Sequence, residues 1–323
     1  MIKTIRQLKK SGLIGRSGSK YPTWLKWDSF YNIKSDYKYI IVNASEGEPF
    51  NKKDLYILNN YTESVIDGLM IALKTFKNSQ GIIYLKQEYF DILQNKIQGN
   101  IINQPIKLVK KTGGYLNGEE TALISTIEGK NVEPYSKPPY PLSKGLFEFP
   151  TLVNNVETFY YISKIAKGKY EAKKHYSIEG KNSGVYEFSE DESVYNILEK
   201  TDNLPGVDFF VISGGYLSGE LLLKNELDKP LEGVGSIIVY EKNKTNSQML
   251  LKTIVSILHR ENCDKCVPCR EGIYRINEMI NSGFLDKEKL KDILQVLKNS
   301  SYCGLGTRAG FLIESIIRKL KIS

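Results

Sequence analysis

Hydrophobic positions in the first third of the chain follow two rhythms. Residues 37–44 (YKYIIVNA) carry an unbroken Ile40-Ile41-Val42 core, as expected of a strand buried on both faces of a parallel sheet. That run ends in a polar loop, Ser45-Glu46-Gly47-Glu48-Pro49. Val65, Ile66, Leu69, Met70, Leu73 and Phe76 then recur at the spacing of one helix face. Residues 81–86 (GIIYLK) predict a second strand and 106–109 a short third. The loop Gly113-Gly114-Tyr115-Leu116-Asn117-Gly118 follows, and then a helix over about 119–128. Alternation of strand and helix predicts a parallel sheet with right-handed crossovers. Ligands of such sheets sit beyond the carboxyl ends of the strands, where loops 43–49 and 113–120 fall.

The rhythm then changes. Pro134, Pro138, Pro139, Pro141 and Pro150 make that region extended rather than helical. Short strands with turns follow over 176–179, 185–188, 209–212 and 236–240, interrupted by one amphipathic segment, 194–199. That pattern predicts a small α+β domain. From about residue 247 the period is helical, with Leu251, Ile254, Val255 and Leu258 as one stripe. No internal repeat or low-complexity tract is evident.

Composition narrows the class. Of 323 residues, 41% are hydrophobic and 25% charged, which excludes a disordered chain, a collagen-like repeat and a disulfide scaffold. No run approaches the ~18 apolar residues of a membrane span, so no direct membrane insertion is expected. The opening Met1-Ile2-Lys3-Thr4-Ile5-Arg6 has no apolar core of a secretory signal, and a cytoplasmic location is expected. The net charge of +8 admits an acidic partner or an anionic cofactor. No stretch matches an RNP-type strand or a recognition helix, so nucleic acid is not expected.

All four cysteines lie late in the chain. Cys263, Cys266 and Cys269 form C-x-x-C-x-x-C, and Cys303 follows. Thiols every third residue leave poor geometry for bridging one another. Zinc usually takes separated C-x-x-C pairs. Three closely spaced thiols with a distant fourth suit a [4Fe–4S] cube best; zinc and an unliganded thiol group remain as alternatives.

Other motifs have plain readings beside their chemical ones. Residues 12–27 (GLIGRSGSKYPTWLKW) form a glycine-rich basic loop, suited to a phosphate or flavin but equally an ordinary loop. Glu46 and Glu48 are spaced as a carboxylate pair or as a solvated turn. Glu119 and Glu120 would open a helix, where the dipole favours carboxylates. His259 stands four positions before Cys263 as a fifth ligand or a helix-end residue, and His175 carries no motif.

Taken together and in order, these segments resemble the NADH-binding flavoprotein subunit of respiratory complex I and its relatives in NAD-linked hydrogenases and formate dehydrogenases. The family's GRGGAGFPTGLKW appears as GRSGSKYPTWLKW from Gly15 to Trp27, and NADEGEP as NASEGEP from Asn43 to Pro49. GAYxxGEETAL appears as GGYLNGEETAL from Gly113, and KPPFP as Lys137-Pro138-Pro139-Tyr140-Pro141. PTxVNNVET is intact from Pro150, and SCGxCxPCREG appears as NCDKCVPCREG from Asn262. Cys303-Gly304-Leu305-Gly306 resembles the segment with the fourth ligand.

The resemblance implies an α/β protein. Its parts would be a Rossmann-like FMN/NADH domain (1–168), a ubiquitin-like β-grasp domain (169–246) and a C-terminal helical bundle (247–323) holding a [4Fe–4S] cluster. A hydride would pass from NADH to FMN, and single electrons would leave through the cluster. It further implies that Lys26 and Asn43 hold FMN, that Asn154 and Asn155 complete its pocket, and that Glu48 and Glu120 face NADH with Tyr115 nearby. Tyr21 and Tyr140 stand where phenylalanines would stack on the nucleotide. Gly15, Arg16, Gly18, Glu46, Glu119 and Lys137 complete the cofactor-binding set, and Cys263, Cys266, Cys269 and Cys303 the metal set. Direct hydride transfer needs no protein acid or base. The partners implied are a small [2Fe–2S] thioredoxin-like subunit and a larger iron–sulfur subunit.

Ser17, Ser19, Lys20 and Trp24 depart from the family's small residues, and Ser45 replaces an aspartate expected to bond the flavin. A competing reading is therefore a degenerate subunit without flavin, serving as an electron relay or structural platform. If Trp24 and Ser45 weaken the pocket, restoring glycine and aspartate there should tighten it. A carboxylate at Glu120, or second at Glu48, would favour NADH over NADPH.

Overall fold

Two short helices, α1 (Lys3–Ser11) and α2 (Thr23–Asn32), precede the first strand. The computed structural model describes residues 2–18, 20–231 and 233–322; the substituted position Ser19 lies outside them. Contacts divide the chain into two units. One comprises Met1–Gly47 and Lys52–Lys174, the other Glu48–Asn51 and His175–Ser323.

The first unit holds β1 (Lys38–Ala44), α3 (Lys53–Thr75), β2 (Ser79–Leu85), α4 (Gln87–Asn100), β3 (Ile106–Lys110), α5 (Glu120–Ile127), β4 (Thr151–Asn155) and α6 (Val156–Ala166). The strands form one parallel sheet in the order β3-β2-β1-β4. Interior β1 pairs Ile41 with Ile82 on one side and with Val153 on the other. Alternate side chains supply two cores. Ile40, Val42, Ile83 and Leu152 pack with α1, α2, α3, α4 and α6. Ile41, Ile82, Tyr84 and Val153 pack with Leu123 and Ile124 of α5. This two-faced burial explains the unbroken apolar run of β1. On one face α3 and α6 approach so closely that a Cβ on Gly68 would stand 2.0 Å from the Phe159 carbonyl oxygen.

From His175 on, the second unit holds the rest of β5 (Lys173–Glu179), with β6 (Gly184–Ser189), α7 (Val194–Lys200), β7 (Phe209–Ser213), β8 (Glu220–Leu223) and β9 (Ser236–Glu241), in a mixed sheet ordered β6-β5-β9-β7-β8. Val194, Ile197 and Leu198 of α7 pack on it beside Tyr176, Phe209 and Ile237. This is the small α+β sheet that the spacing predicts. Four helices close the chain: α8 (Ser247–Arg260), α9 (Val267–Ser282), α10 (Lys287–Ser300) and α11 (Gly304–Lys319). The last is tied to β8, because Ser315 Oγ accepts from Leu221 N at 2.9 Å and Lys319 Nζ donates to Leu221 O at 2.6 Å. Among the described residues no helix is long and apolar enough to cross a membrane.

Candidate functional site

At the carboxyl end of β1 the chain turns polar within one residue. Asn43 Nδ2 donates to Gly118 O at 2.8 Å, and its Oδ1 accepts from Ser45 N at 3.0 Å. Neighbouring β4 ends in Asn154, which accepts from Trp27 Nε1 at 3.2 Å, and in Asn155, which caps α6 by accepting from Glu157 N at 3.0 Å. Strand polarity thus gathers three amides on one edge of the sheet, where ligands of open parallel sheets bind.

Beside them lies a chain of alternating charges. Lys26 Nζ donates to Val153 O at 2.8 Å and to Glu120 at 3.2 Å. Lys137 Nζ reaches Glu120 at 2.7 Å and Glu119 at 3.1 Å. Glu119 is also the N-cap of α5, accepting from Thr121 N at 2.7 Å and Ala122 N at 3.0 Å, so its capping and site roles coexist. Burial would raise the Glu120 carboxyl, but the two lysines hold it at about 2.

A second, fully buried charge group lies at the start of α3, and the sequence did not announce it. Lys53, 2% exposed, bonds Asp54 and stands 3.6 Å from Glu157 and 3.2 Å from Asn155 Oδ1. Asn155 Nδ2 donates to Asp54 Oδ2 at 2.8 Å. Glu46 accepts from Tyr89 Oη at 2.6 Å and from Asp54 N at 3.3 Å. Burial, then the Asp54 charge, push Glu46 up to about 7. Lys111, equally buried, donates to Ser45 O at 3.3 Å. Lysines are normally exposed, so a sequence offers no sign that these are not.

The glycine-rich loop folds on itself, with Gly15 N donating to Tyr21 O at 2.9 Å, and Gly18 has φ +88°. Arg16 is buried: its N–H meets Thr158 Oγ1 at 3.2 Å, a guanidinium nitrogen meets Lys173 O at 3.1 Å, and the Tyr161 ring lies 5.1 Å away. Arg16 thus braces the loop against α6. Trp24 packs against the hydrophobic core with Lys9 Nζ 4.6 Å over its ring, so its bulk is absorbed between α1 and α2. The rings of Tyr21 and Tyr140 are 47% and 57% exposed and open to stacking. Tyr115 lies against Gly47, whose Cβ would stand 2.8 Å from that ring.

These residues fit a flavin. The Ser45 hydroxyl is buried with no partner among the described residues, and a Cβ on Gly118 would stand 3.3 Å from it. A spare donor beside a side-chain-free backbone, three amides and a fixed cation make a polar cradle.

Glu48 is not in a solvated turn. It belongs to the second unit and is 7% exposed, accepting from Ser218 Oγ at 2.7 Å and Leu217 N at 3.1 Å. A Cβ on Gly215 would stand 2.4 Å from its Oε2. Residues 214–219 (GGYLSG) echo 113–118 (GGYLNG), a similarity too short to stand out as an internal repeat. Burial pushes Glu48 up to about 7, against bonds from Ser218 and Leu217 and the Arg308 charge. Because the folded value lies above the unfolded 4.5, the stability of this contact is complete below that pH and is lost as pH rises towards 7. At about 1.4 kcal/mol per pH unit the loss is on the order of 3 kcal/mol. Glu48→Gln should flatten the fall in melting temperature between pH 5 and 7.5; an unchanged slope would place the titrating group elsewhere.

In the C-terminal helices the four cysteines are free thiols, three of them buried. Cys266 is the N-cap of α9 and Cys303 the N-cap of α11, so each stands beside the unsatisfied N–H groups of a first helical turn. Burial, then the charges of Cys266, Cys303 and Cys263, raise Cys269, so the other three thiols lie within electrostatic reach of it. Such a set of thiols, with no disulfide, fits a cluster whose iron charge offsets the thiolates. His259 lies in the last turn of α8, its ring centroid 6.1 Å from that of Tyr274.

Residues 8–164 match the family model of the Nuo51 FMN-binding domain, and residues 249–321 that of the NADH-ubiquinone oxidoreductase-F iron-sulfur binding region. All four cysteines fall inside the second match. The NADH-quinone oxidoreductase F-subunit of Aquifex aeolicus is 31% identical, covering 96% of this chain and 82% of its own length. Its counterpart in Streptomyces coelicolor is 30% identical, over 97% and 80%. The NADP-reducing hydrogenase subunit HndC of Solidesulfovibrio fructosivorans is 30% identical, over 93% and 70%. The crystal structure of an NAD+-reducing [NiFe]-hydrogenase in the H2-reduced state superposes on 98% of this chain with a TM-score of 0.91 and 25% identity. The chain spans 61% of that protein's chain.

Proposed function

We propose that this chain, which belongs to the family of the NADH-quinone oxidoreductase F-subunits, is the electron-input subunit of an oxidoreductase complex. It is an NADH dehydrogenase-type subunit, with an FMN-binding domain and a 4Fe–4S domain. FMN held here would supply the chemistry that turns a hydride from NADH into single electrons, and a cluster on the four thiols would supply their exit.

The chain's own residues bind and orient. Lys26, fixed between Glu120 and Val153 O, presents a cation that cannot swing away. Asn43, Asn154 and Asn155 present amides at the sheet edge, and Ser45 offers a buried hydroxyl in place of the family's aspartate. Glu120 and Lys137 face the nucleotide as a compensated pair, with Tyr21 and Tyr140 as stacking surfaces. Glu46 and Arg16 support these groups from behind. The relatives are named as subunits, so the partners here are oxidoreductase subunits. A small [2Fe–2S] subunit and a larger iron–sulfur subunit are the ones we favour. Four free thiols accord with a reducing, cytoplasmic setting.

The observation that carries this reading is the presence, in one chain, of the Lys26–Glu120–Lys137 cradle and the four-thiol site. The substitutions at Ser17, Trp24 and Ser45 motivate the flavin-free relay as a second reading. The absorption spectrum of anaerobically purified protein, before and after adding FMN, separates the two. A flavin band that NADH bleaches supports the enzyme, whereas cluster absorption alone, with no uptake of FMN, supports the relay.

The packing of Trp24 also revises one expectation. Because its ring fills space against α1 rather than the cradle, Trp24→Gly should not tighten FMN. It should cost about 2–4 kcal/mol of stability, read as a lower denaturation midpoint. Tighter FMN binding in that variant, measured by calorimetry, would show that the ring obstructs the cradle.

A further inference from the structure

Ser301 follows α10 and stands two residues before Cys303. Its N–H closes on Leu297 O at 3.2 Å, ending the helix. Its Oγ is buried with no hydrogen-bond partner among the described residues. Gly306, in the first turn of α11, marks where that hydroxyl lies. A Cβ on Gly306 would stand 2.3 Å from Ser301 Oγ and 3.2 Å from Cys269 Sγ. The hydroxyl and the thiol therefore flank one small space that glycine keeps open. Folded proteins rarely leave a buried donor unbonded, and such a group calls for an acceptor. No described oxygen or nitrogen supplies one here.

We propose that Ser301 donates a hydrogen bond into the sulfur shell of the cluster at its Cys269 corner and thereby raises the cluster's reduction potential. The proposal rests on the four thiols being cluster ligands. Reduction adds one electron, whose charge spreads over the sulfurs. A donor aimed at a sulfur stabilises the reduced form more than the oxidised form. Ser301 acts through sulfur, so it tunes the site as a positioning residue rather than a catalytic one.

The test is a redox titration of the holoprotein, followed by electron paramagnetic resonance, with iron and sulfide assayed on the same samples. Ser301→Ala should keep its iron and sulfide while its midpoint falls by about 59 mV, a roughly tenfold smaller reduced fraction at fixed potential. Gly306→Ala, whose added Cβ displaces the hydroxyl, should shift the midpoint in the same direction. The reduced wild type should show a coupled exchangeable proton, lost in Ser301→Ala. A full cluster with an unmoved midpoint in Ser301→Ala would overturn the proposal. So would cluster loss in both variants, which would make the serine purely structural. Zinc without sulfide in the wild type would instead remove the underlying reading of the thiols.

Discussion

Cys303→Ala should take the iron and acid-labile sulfide of anaerobically prepared protein from about four each per chain to a three-iron form or to none. The chain holds four thiols and no fifth, so no spare cysteine can replace the lost corner. Cys303 caps α11 while Cys266 caps α9, so a cluster held by both would tie two helix N-termini, and loss of one ligand would free that end of α11. The remaining packing is extensive. Leu290, Leu294 and Leu297 of α10 and Leu305, Ala309 and Leu312 of α11 stay buried, so the helices should hold together with a lowered melting temperature. Flavin reduction by NADH should survive, because the cradle belongs to the other unit, while electron delivery to a one-electron acceptor that draws from the cluster should be lost. A variant retaining four iron and four sulfide would exclude Cys303 as a ligand. Stoichiometric zinc without sulfide in the wild type would exclude the cluster.

The legible parts of the fold were those with a dense pattern. Ile40-Ile41-Val42 announced β1 because a strand buried on both faces has no polar positions. By contrast, β4 offers only Leu152 and Val153 between Thr151 and Asn154, too short a run to separate from a loop, and the stripe of α4 is only Tyr89, Leu93 and Ile97. The cysteine quartet was legible because thiols are scarce and their spacing is chemical. The family's motifs single out Lys26, Asn43, Glu119, Glu120, Lys137, Asn154 and Asn155, and the fold links them in two groups: Lys26 and Lys137 to Glu120 and Glu119, and the three amides along the strand ends. What stayed hidden depended on tertiary burial. Glu46 and Glu48 could be read as a carboxylate pair or as a solvated turn, whereas burial bonds Glu46 to Tyr89 and the start of α3, and Glu48 to the 216–218 turn. Nothing in the sequence around Lys53 and Lys111 marks their burial, since lysine is normally exposed. Whether Trp24 obstructs the loop depends on α1, whose Lys9 lies over its ring.

The wild type should reduce its flavin about tenfold faster with NADH than with NADPH, a difference of about 1.4 kcal/mol. Two effects oppose each other. The net charge of +8 attracts the more anionic NADPH, but that field is screened beyond about 8 Å at physiological salt. A carboxylate in contact with the ribose accepts from its hydroxyls and repels a 2′-phosphate without such screening. The preference should nevertheless be modest, because Glu119 and Glu120 are matched by Lys26 and Lys137 within 3.2 Å, leaving the site no net charge. Since the lysines hold Glu120 at about 2, it stays ionised and the ratio should be flat from pH 5 to 9. Glu120→Gln keeps a hydrogen-bonding group and removes the repulsion, so the ratio should fall towards one. Lys137→Met removes the compensating cation and should raise the ratio several-fold, at some cost in NADH affinity. Opposite shifts in the two variants, measured at fixed salt as rates of flavin reduction by each nucleotide, distinguish local charge from a change of shape. Faster reduction of the wild type by NADPH would overturn the assignment, and a ratio unmoved by both substitutions would take nucleotide choice away from the Glu120–Lys137 pair.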